Sequence, residues 1–241
     1  MAYVAPFDET VIRFFGQFAA RDVAFDQLVR DVADSDLLKG GLFMAYFWWM
    51  WLRTDDRVEA RRQRVLVWIA GALLAVVISR IAQRVLPFHP RPLHAGDPFF
   101  VLPYGVDPAT LSRWNSLPSD HAALFFALAL AVWYESKPLG LFAMIWTVIV
   151  ICIPRIYLGF HYPSDILAGI ALGAVIMAAA HHWLGRTTLP ARVLRWEARH
   201  HGAFYAIAFL TTYEITILFY DLRQLAGDSF ILLHTTVLAH A

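Results

Sequence analysis

The stretch SLPSDHAALFFALAL, residues 116–130, sets a serine, an aspartate and a histidine at the lip of an apolar helix. A helix that enters a membrane gains nothing from ionisable groups at its end unless something binds there. Ser119 is a good helix N-cap, with Pro118 just before it. The first backbone N–H groups of the helix have no partner within it and can grip an anion, helped by the helix dipole. His121 projects from the first turn, where it can donate a proton to a leaving oxygen. Asp120 either orients a neighbour or simply favours the dipole.

Outward from this lip, the composition is that of a membrane protein. Of 241 residues, 59% are hydrophobic and 16% charged, against roughly 45–50% apolar and about 25% charged in soluble domains. The net charge of +1 shows no basic excess, so nucleic acid is not an expected partner. The single cysteine, Cys152, excludes an intrachain disulfide and a Cys-based metal site. The opening MAYVAPFDE lacks a basic start, so no cleavable leader is expected.

A spanning helix needs about 20 mostly apolar residues. Six segments approach that: Leu37–Leu52, Val65–Ile81, Ala122–Tyr134, Leu139–Leu158, Ile166–Leu184 and Ala203–Leu222. The third is short and spans only if the lip lies at the interface. The sixth contains Glu214, which either faces the bundle to pair Arg80 or a histidine, or marks a segment that does not fully span. Residues 1–36 read as amphipathic interfacial helices with Arg and Asp on the wet face. The expectation is an all-α integral membrane bundle of about six transmembrane helices, with a core over 37–222 and a C-terminal tail over 223–241. Arginines concentrate in 53–64 and 185–201, and Lys137 lies in the turn at 135–138. With six spans these share one side, expected to be cytoplasmic.

Three polar clusters then fall on the opposite face. They are Arg84 to Pro92 (RVLPFHPRP), Pro118 to His121 (PSDH) and Arg155 to Asp165 (RIYLGFHYPSD). Arg84, Arg91 and Arg155 offer forked donors suited to phosphate oxygens, and their grouping implies an anion. Snorkelling at a helix end is the alternative for any one of them. Arg80, one turn below Arg84, either joins them or pairs with a carboxylate. His161 precedes Asp165 by four residues, a spacing that lets the carboxylate reach the imidazole. An acid-paired histidine has a fixed tautomer and a more nucleophilic free nitrogen.

Together these clusters resemble the type-2 phosphatidic acid phosphatase superfamily, which also includes vanadium haloperoxidases. The pattern is Lys-x6-Arg-Pro, Pro-Ser-Gly-His and Ser-Arg-x5-His-x3-Asp, matched in order over Arg84 to Asp165. The resemblance implies that His161 attacks phosphorus, Asp165 orients it and His121 protonates the leaving group. Arg84, Arg91, Ser119 and Arg155 would hold the phosphate, with Asp120, Arg80 and Glu214 as accessory candidates. Three positions depart: Arg84 stands where lysine is usual, Asp120 replaces glycine, and Pro154 replaces the serine before Arg155. The Asp120 variant also occurs in bacterial members that look like undecaprenyl-diphosphate phosphatases.

The expected activity is therefore metal-independent hydrolysis of a lipid phosphate or diphosphate, with undecaprenyl diphosphate favoured and no cofactor. Phosphatidylglycerol phosphate, phosphatidic acid and lipid A are alternative substrates. The expected location is a bacterial inner membrane, the site facing outward. One rival is a metal hydrolase using His89, His94, Asp97, His121, His161 and Asp165, although no His-Glu-x-x-His spacing is present. Another is a lipid-phosphate binding or transport protein, which explains the arginines but not the histidine pair. The third is a haloperoxidase holding vanadate in the phosphate site, but those relatives are soluble.

Overall fold

The computed structural model describes residues 5–111 and 114–221, and every regular element among them is helical. In order these are α1 (Pro6–Gly16), α2 (Val23–Asp34), α3 (Leu42–Leu52), α4 (Val58–Val85), α5 (Asp120–Glu135), α6 (Lys137–Trp146), α7 (Ile153–Tyr157), α8 (Pro163–Trp183), α9 (Leu189–Arg199) and α10 (His201–Thr216). A π-helical stretch at Leu37–Gly41 leads into α3, and another at Thr147–Cys152 joins α6 to α7. The tail expected over 223–241 lies outside the described residues.

α5 is the axis of the molecule. Its Ala122, Ala123, Leu124, Phe125, Ala127, Leu128 and Ala129 are all 0% exposed, because α4, α6 and α8 pack around it. Lipid tails are as apolar as leucine, so such helices associate through close van der Waals packing of small residues. Gly169 and Gly173 of α8 show this directly. A Cβ at Gly169 would sit 2.4 Å from the Ser119 carbonyl oxygen, and one at Gly173 would sit 2.1 Å from that of Ala123. This contact brings the first turn of α8 against the first turn of α5, and so the two histidine-bearing clusters together. Outward, Val77 and Ile81 of α4, Phe142 of α6 and Val175 of α8 leave apolar surface exposed, as a lipid-facing wall requires.

Among the described residues, three helices are long and apolar enough to cross a bilayer: Val58–Val85, Lys137–Tyr157 and Pro163–Arg186. Of the six expected spans, these three stand on length and composition. The segments at 37–52, 120–135 and 201–216 have sixteen residues each, or roughly 24 Å at 1.5 Å per residue, short of the ~30 Å hydrocarbon core. The expected sixth span over Ala203–Leu222 ends in helix at Thr216, followed by turns through Phe219.

The basic loops converge as expected. Arg64 pairs with Glu135 at 2.9 Å and lines a cavity with His181, His182 and Arg186. At the other end α1 and α2 lie over the loops that carry the site, with Arg13, Arg21, Asp22 and Asp31 exposed as expected and two aspartates departing from that pattern. Asp8 and Asp26, assigned to a wet face, are buried. Asp8 accepts from the backbone N–H and the hydroxyl of Ser164 at 2.8 and 2.7 Å. Asp26 accepts from the backbone N–H groups of Ala20 and Tyr104 and from the Tyr157 hydroxyl. Phe7, Phe14, Phe18 and Phe25 are exposed, alongside Arg13, Arg21, Asp22 and Asp31. Buried loop N–H and hydroxyl groups need acceptors, and these two carboxylates supply them.

Candidate active site

The site is assembled where α5 and α8 begin. Ser119 caps α5, its hydroxyl accepting from the Ala122 N–H at 3.4 Å, and its own N–H donates to the Asp165 carbonyl at 3.1 Å. The proposed phosphate ligand Ser119 is thus fully buried as a cap. His121 stands on the first turn with Nδ1 3.0 Å from Asp120 Oδ1. Asp120 turns its other oxygen to Arg80, 3.4 Å away, and Arg80 also donates to the Leu218 carbonyl. Of the two roles open to Arg80, it takes the carboxylate pair.

The loop before α5 is built around Asn115. Its amide oxygen accepts from the His89 and Leu117 N–H groups, and its amide nitrogen donates to the Gln83 and Pro87 carbonyls. The Asn115 carbonyl accepts from Arg91 Nη2 at 3.2 Å. Arg91 Nη1 donates to the Phe160 carbonyl and stands 3.3 Å from His161 Nε2. A side chain from the loop that follows α4 is thereby locked against the nucleophile candidate.

His161 is 3% exposed. Its Nδ1 lies 3.0 Å from the Ser116 carbonyl oxygen and 3.8 Å from Asp165 Oδ2. A carbonyl only accepts, so the proton belongs on Nδ1 and the lone pair on Nε2. Asp165 accepts from the Ser116 hydroxyl and from the Tyr162 N–H at 2.8 Å, and His89 Nδ1 stands at ion-pair distance, 3.3 Å, from its other oxygen. The acid therefore reaches the imidazole chiefly through Ser116, which bridges the two. Burial first, and the Arg91 guanidinium second, hold His161 below the ordinary histidine range. The Asp165 carboxylate raises His89. Burial and the Arg155 guanidinium push His121 well below its usual value.

Arg155 is 7% exposed. Its Nε is buried without a hydrogen-bond partner, and no carboxylate of the described residues lies within ion-pair distance of it. It lines a cavity of about 720 Å³ with His121, Phe160, Lys39, Trp114 and Tyr213. An unpaired buried guanidinium is costly unless an anion completes it. The arrangement offers one imidazole and one guanidinium group on the cavity wall, His121 and Arg155, and a second such pair in mutual contact, His161 with Arg91.

Not every expected residue arrives. Arg84 is exposed at the end of α4 and makes no ion pair or side-chain hydrogen bond among the described residues. Glu214 reaches neither Arg80 nor a histidine, and its Oε2 is buried without a hydrogen-bond partner. Of the rival metal ligands, His94 bonds the Thr110 carbonyl and Asp97 the Phe99 N–H. Among the described residues no group of three His, Cys, Asp or Glu side chains is placed to hold a metal ion. Sequence reasoning passed over Ser116, Asn115, His89 as a partner of Asp165, and Lys39. A polar Asn-Ser pair directly before Leu-Pro-Ser was the available signal for the first two.

Residues 91–189 match the model of the PAP2 superfamily. The chain carries a PAP2 superfamily domain. It is 28% identical over 172 residues to the lipid A 1-diphosphate synthase of Escherichia coli, covering 68% of this chain and 70% of that one. It is 37% identical over 123 residues to the decaprenylphosphoryl-5-phosphoribose phosphatase of Mycobacterium tuberculosis, covering 49% and 60%. It is 26% identical over 112 residues to the undecaprenyl-diphosphatase BcrC of Bacillus subtilis, covering 45% and 49%. The chain spans less than two thirds of the length of the last two relatives. The match over residues 91–189 and these relatives support a place in the membrane lipid phosphatase branch of that superfamily.

Proposed function

We propose that this protein is a membrane-embedded, metal-independent phosphatase of lipid phosphates or diphosphates, working through a phosphohistidine on His161. The observation that carries this is the pinned imidazole of His161, its Nε2 beside Arg91, with the unpartnered Arg155 and His121 around the neighbouring cavity. Nε2 attacks phosphorus as the bond to the lipid oxygen breaks, and His121 gives that oxygen its proton. Water then attacks the phosphohistidine, His121 takes the water's proton, and the P–N bond breaks to release phosphate. Arg91, Arg155 and the N–H groups opening α5 stabilise the charge on the transferring phosphoryl, and such preorganised charge usually supplies most of the rate enhancement in this chemistry.

Undecaprenyl diphosphate is the favoured substrate. The Pro-Ser-Asp-His variant and the undecaprenyl-diphosphatase relatives support it. Phosphatidylglycerol phosphate, phosphatidic acid and lipid A phosphates are the alternatives. The arginine-rich end supports a cytoplasmic placement, which turns the site outward from a bacterial inner membrane. A second outcome of the same intermediate has support from the relative named as a diphosphate synthase: a lipid phosphate oxygen, in place of water, takes the phosphoryl group.

The test is phosphate release by detergent-purified protein from undecaprenyl diphosphate, farnesyl diphosphate, phosphatidylglycerol phosphate and phosphatidic acid, each with EDTA. Turnover is expected to persist with the chelator and to vanish in His161→Ala. Near-normal turnover in that variant removes the nucleophile assignment, and loss of wild-type turnover with EDTA removes the metal-free mechanism.

A further inference from the structure

We infer that Lys39 is a second anion-holding residue, placed to grip the phosphate that stays on the lipid, so that the site prefers diphosphates. This rests on the phosphatase reading above and deepens it. Lys39 lies outside the three clusters that mark the site in the sequence. It belongs to the π-helical turn before α3, yet it is 8% exposed and lines the same cavity as His121 and Arg155. Its charge is within electrostatic reach of both. π-Helical turns often occur at functional positions. This one is held against the end of α10, since a Cβ on Gly40 would sit 2.4 Å from Thr216 Cα.

The charges of this cavity are ordered by depth. Lys39 and Arg155 are buried, while Asp34 and Asp36 are exposed and Asp221 is half-buried. Asp36 pairs with Lys39 at 3.1 Å across one helical turn, and Asp221 accepts from the Tyr213 hydroxyl. Arg155 has no such partner among the described residues. Two buried cations share one cavity wall, and the only ion pair either makes among the described residues is that of Lys39 with Asp36 at the solvent edge. Like charges in low dielectric repel strongly unless an anion lies between them. Arg91 and Arg155 serve the phosphoryl group that His161 takes. Lys39, on a different element, has no role there. A point charge on a flexible stem suits a second phosphate. Arg84, standing at the lysine position of the motif, is exposed and does not replace it.

The test measures binding of inorganic pyrophosphate and of orthophosphate to the full chain in detergent by calorimetry. Lys39→Gln should weaken pyrophosphate about tenfold, the scale of one charge-assisted hydrogen bond, and orthophosphate by less than about threefold. Lys39→Arg should keep most of the affinity for both. Asp36→Asn frees the ammonium and should tighten pyrophosphate binding. Equal weakening of both anions in Lys39→Gln, or no weakening of either, overturns the assignment. If Lys39→Gln does not fold, Asp36→Asn at its exposed position decides alone, and no gain for pyrophosphate overturns it. Wild-type protein that binds pyrophosphate through Lys39 yet releases phosphate from no lipid would sink the phosphatase reading and leave this assignment standing.

Discussion

At the scale of single residues, the site controls one proton on each of two imidazoles. In the proposed mechanism His161 must be neutral to attack, and burial with the Arg91 charge disfavours its protonated form. A lowered value means that activity holds as pH falls past the ordinary ~6.5 of histidine and is lost only below it. The acid limb of kcat/KM is therefore expected below that value, and Arg91→Gln should move it upward even as it lowers the maximum. An acid limb at or above the ordinary value in the wild type would contradict the assignment. His121 is also held low in the free protein, by burial and Arg155. A bound phosphate dianion offsets both effects, so the base limb should lie at higher pH in kcat than in kcat/KM. Ser116 is fully buried, and its hydroxyl and carbonyl hold Asp165 and His161. Ser116→Ala should cut kcat on the order of tenfold, the scale of one lost hydrogen bond, with KM little changed and with Ser116→Thr partly restoring it. A KM effect alone would make Ser116 a binding residue instead.

At the scale of elements, what the sequence revealed depended on whether the signal was local. His161 and Asp165, His121 and Ser119, and Arg91 with its proline sit in short patterns whose spacing already implies a role. The bridge from Ser116 joins positions 49 residues apart. Lys39 meets Arg155 and His121 only once a helix end has packed against α10. Asp8 and Asp26 looked solvated because amphipathic spacing assigns a face but not a partner, and loop N–H groups claimed them. Arg84 matched by position, yet α4 ends with it outside. Hydropathy found every apolar segment but could not count spans, because a sixteen-residue helix reads as apolar whether or not it is long enough to cross. What registers the elements is the glycine contact between α8 and α5. Because Gly173 would drive a Cβ to 2.1 Å from the Ala123 carbonyl oxygen, even Gly173→Ala must spread the two helices. A loss of about 1–3 kcal/mol is expected, as for overpacking elsewhere, read as a lowered melting temperature in detergent together with reduced turnover. Gly185→Ala, with nothing within 4 Å of the added atom, is the matched control and should melt as the wild type does.

At the scale of the whole molecule, the two ends of the bundle differ in charge and in chemistry. One end gathers Arg64, His181, His182 and Arg186 beside Glu135. The other carries His121 and His161, the loop from α4 to α5, and the two N-terminal helices. If arginine-rich loops stay on the cytoplasmic side, a lipid whose phosphate lies on the outer leaflet meets the site directly. The chain allows a clean measurement of this, because its single cysteine, Cys152, is 1% exposed. Wild-type protein should thus resist a membrane-impermeant thiol reagent. Tyr104→Cys places a thiol on the loop that meets α2 near the site, at an exposed position. Gly185→Cys places one at the arginine-rich end, where the added atoms meet nothing. In intact cells or spheroplasts, Tyr104→Cys should label and Gly185→Cys should not. After permeabilisation both should label. The reverse pattern would turn the site to the cytoplasm and favour a substrate on the inner leaflet, and labelling of both thiols without permeabilisation would mean that the two ends are not separated by a bilayer.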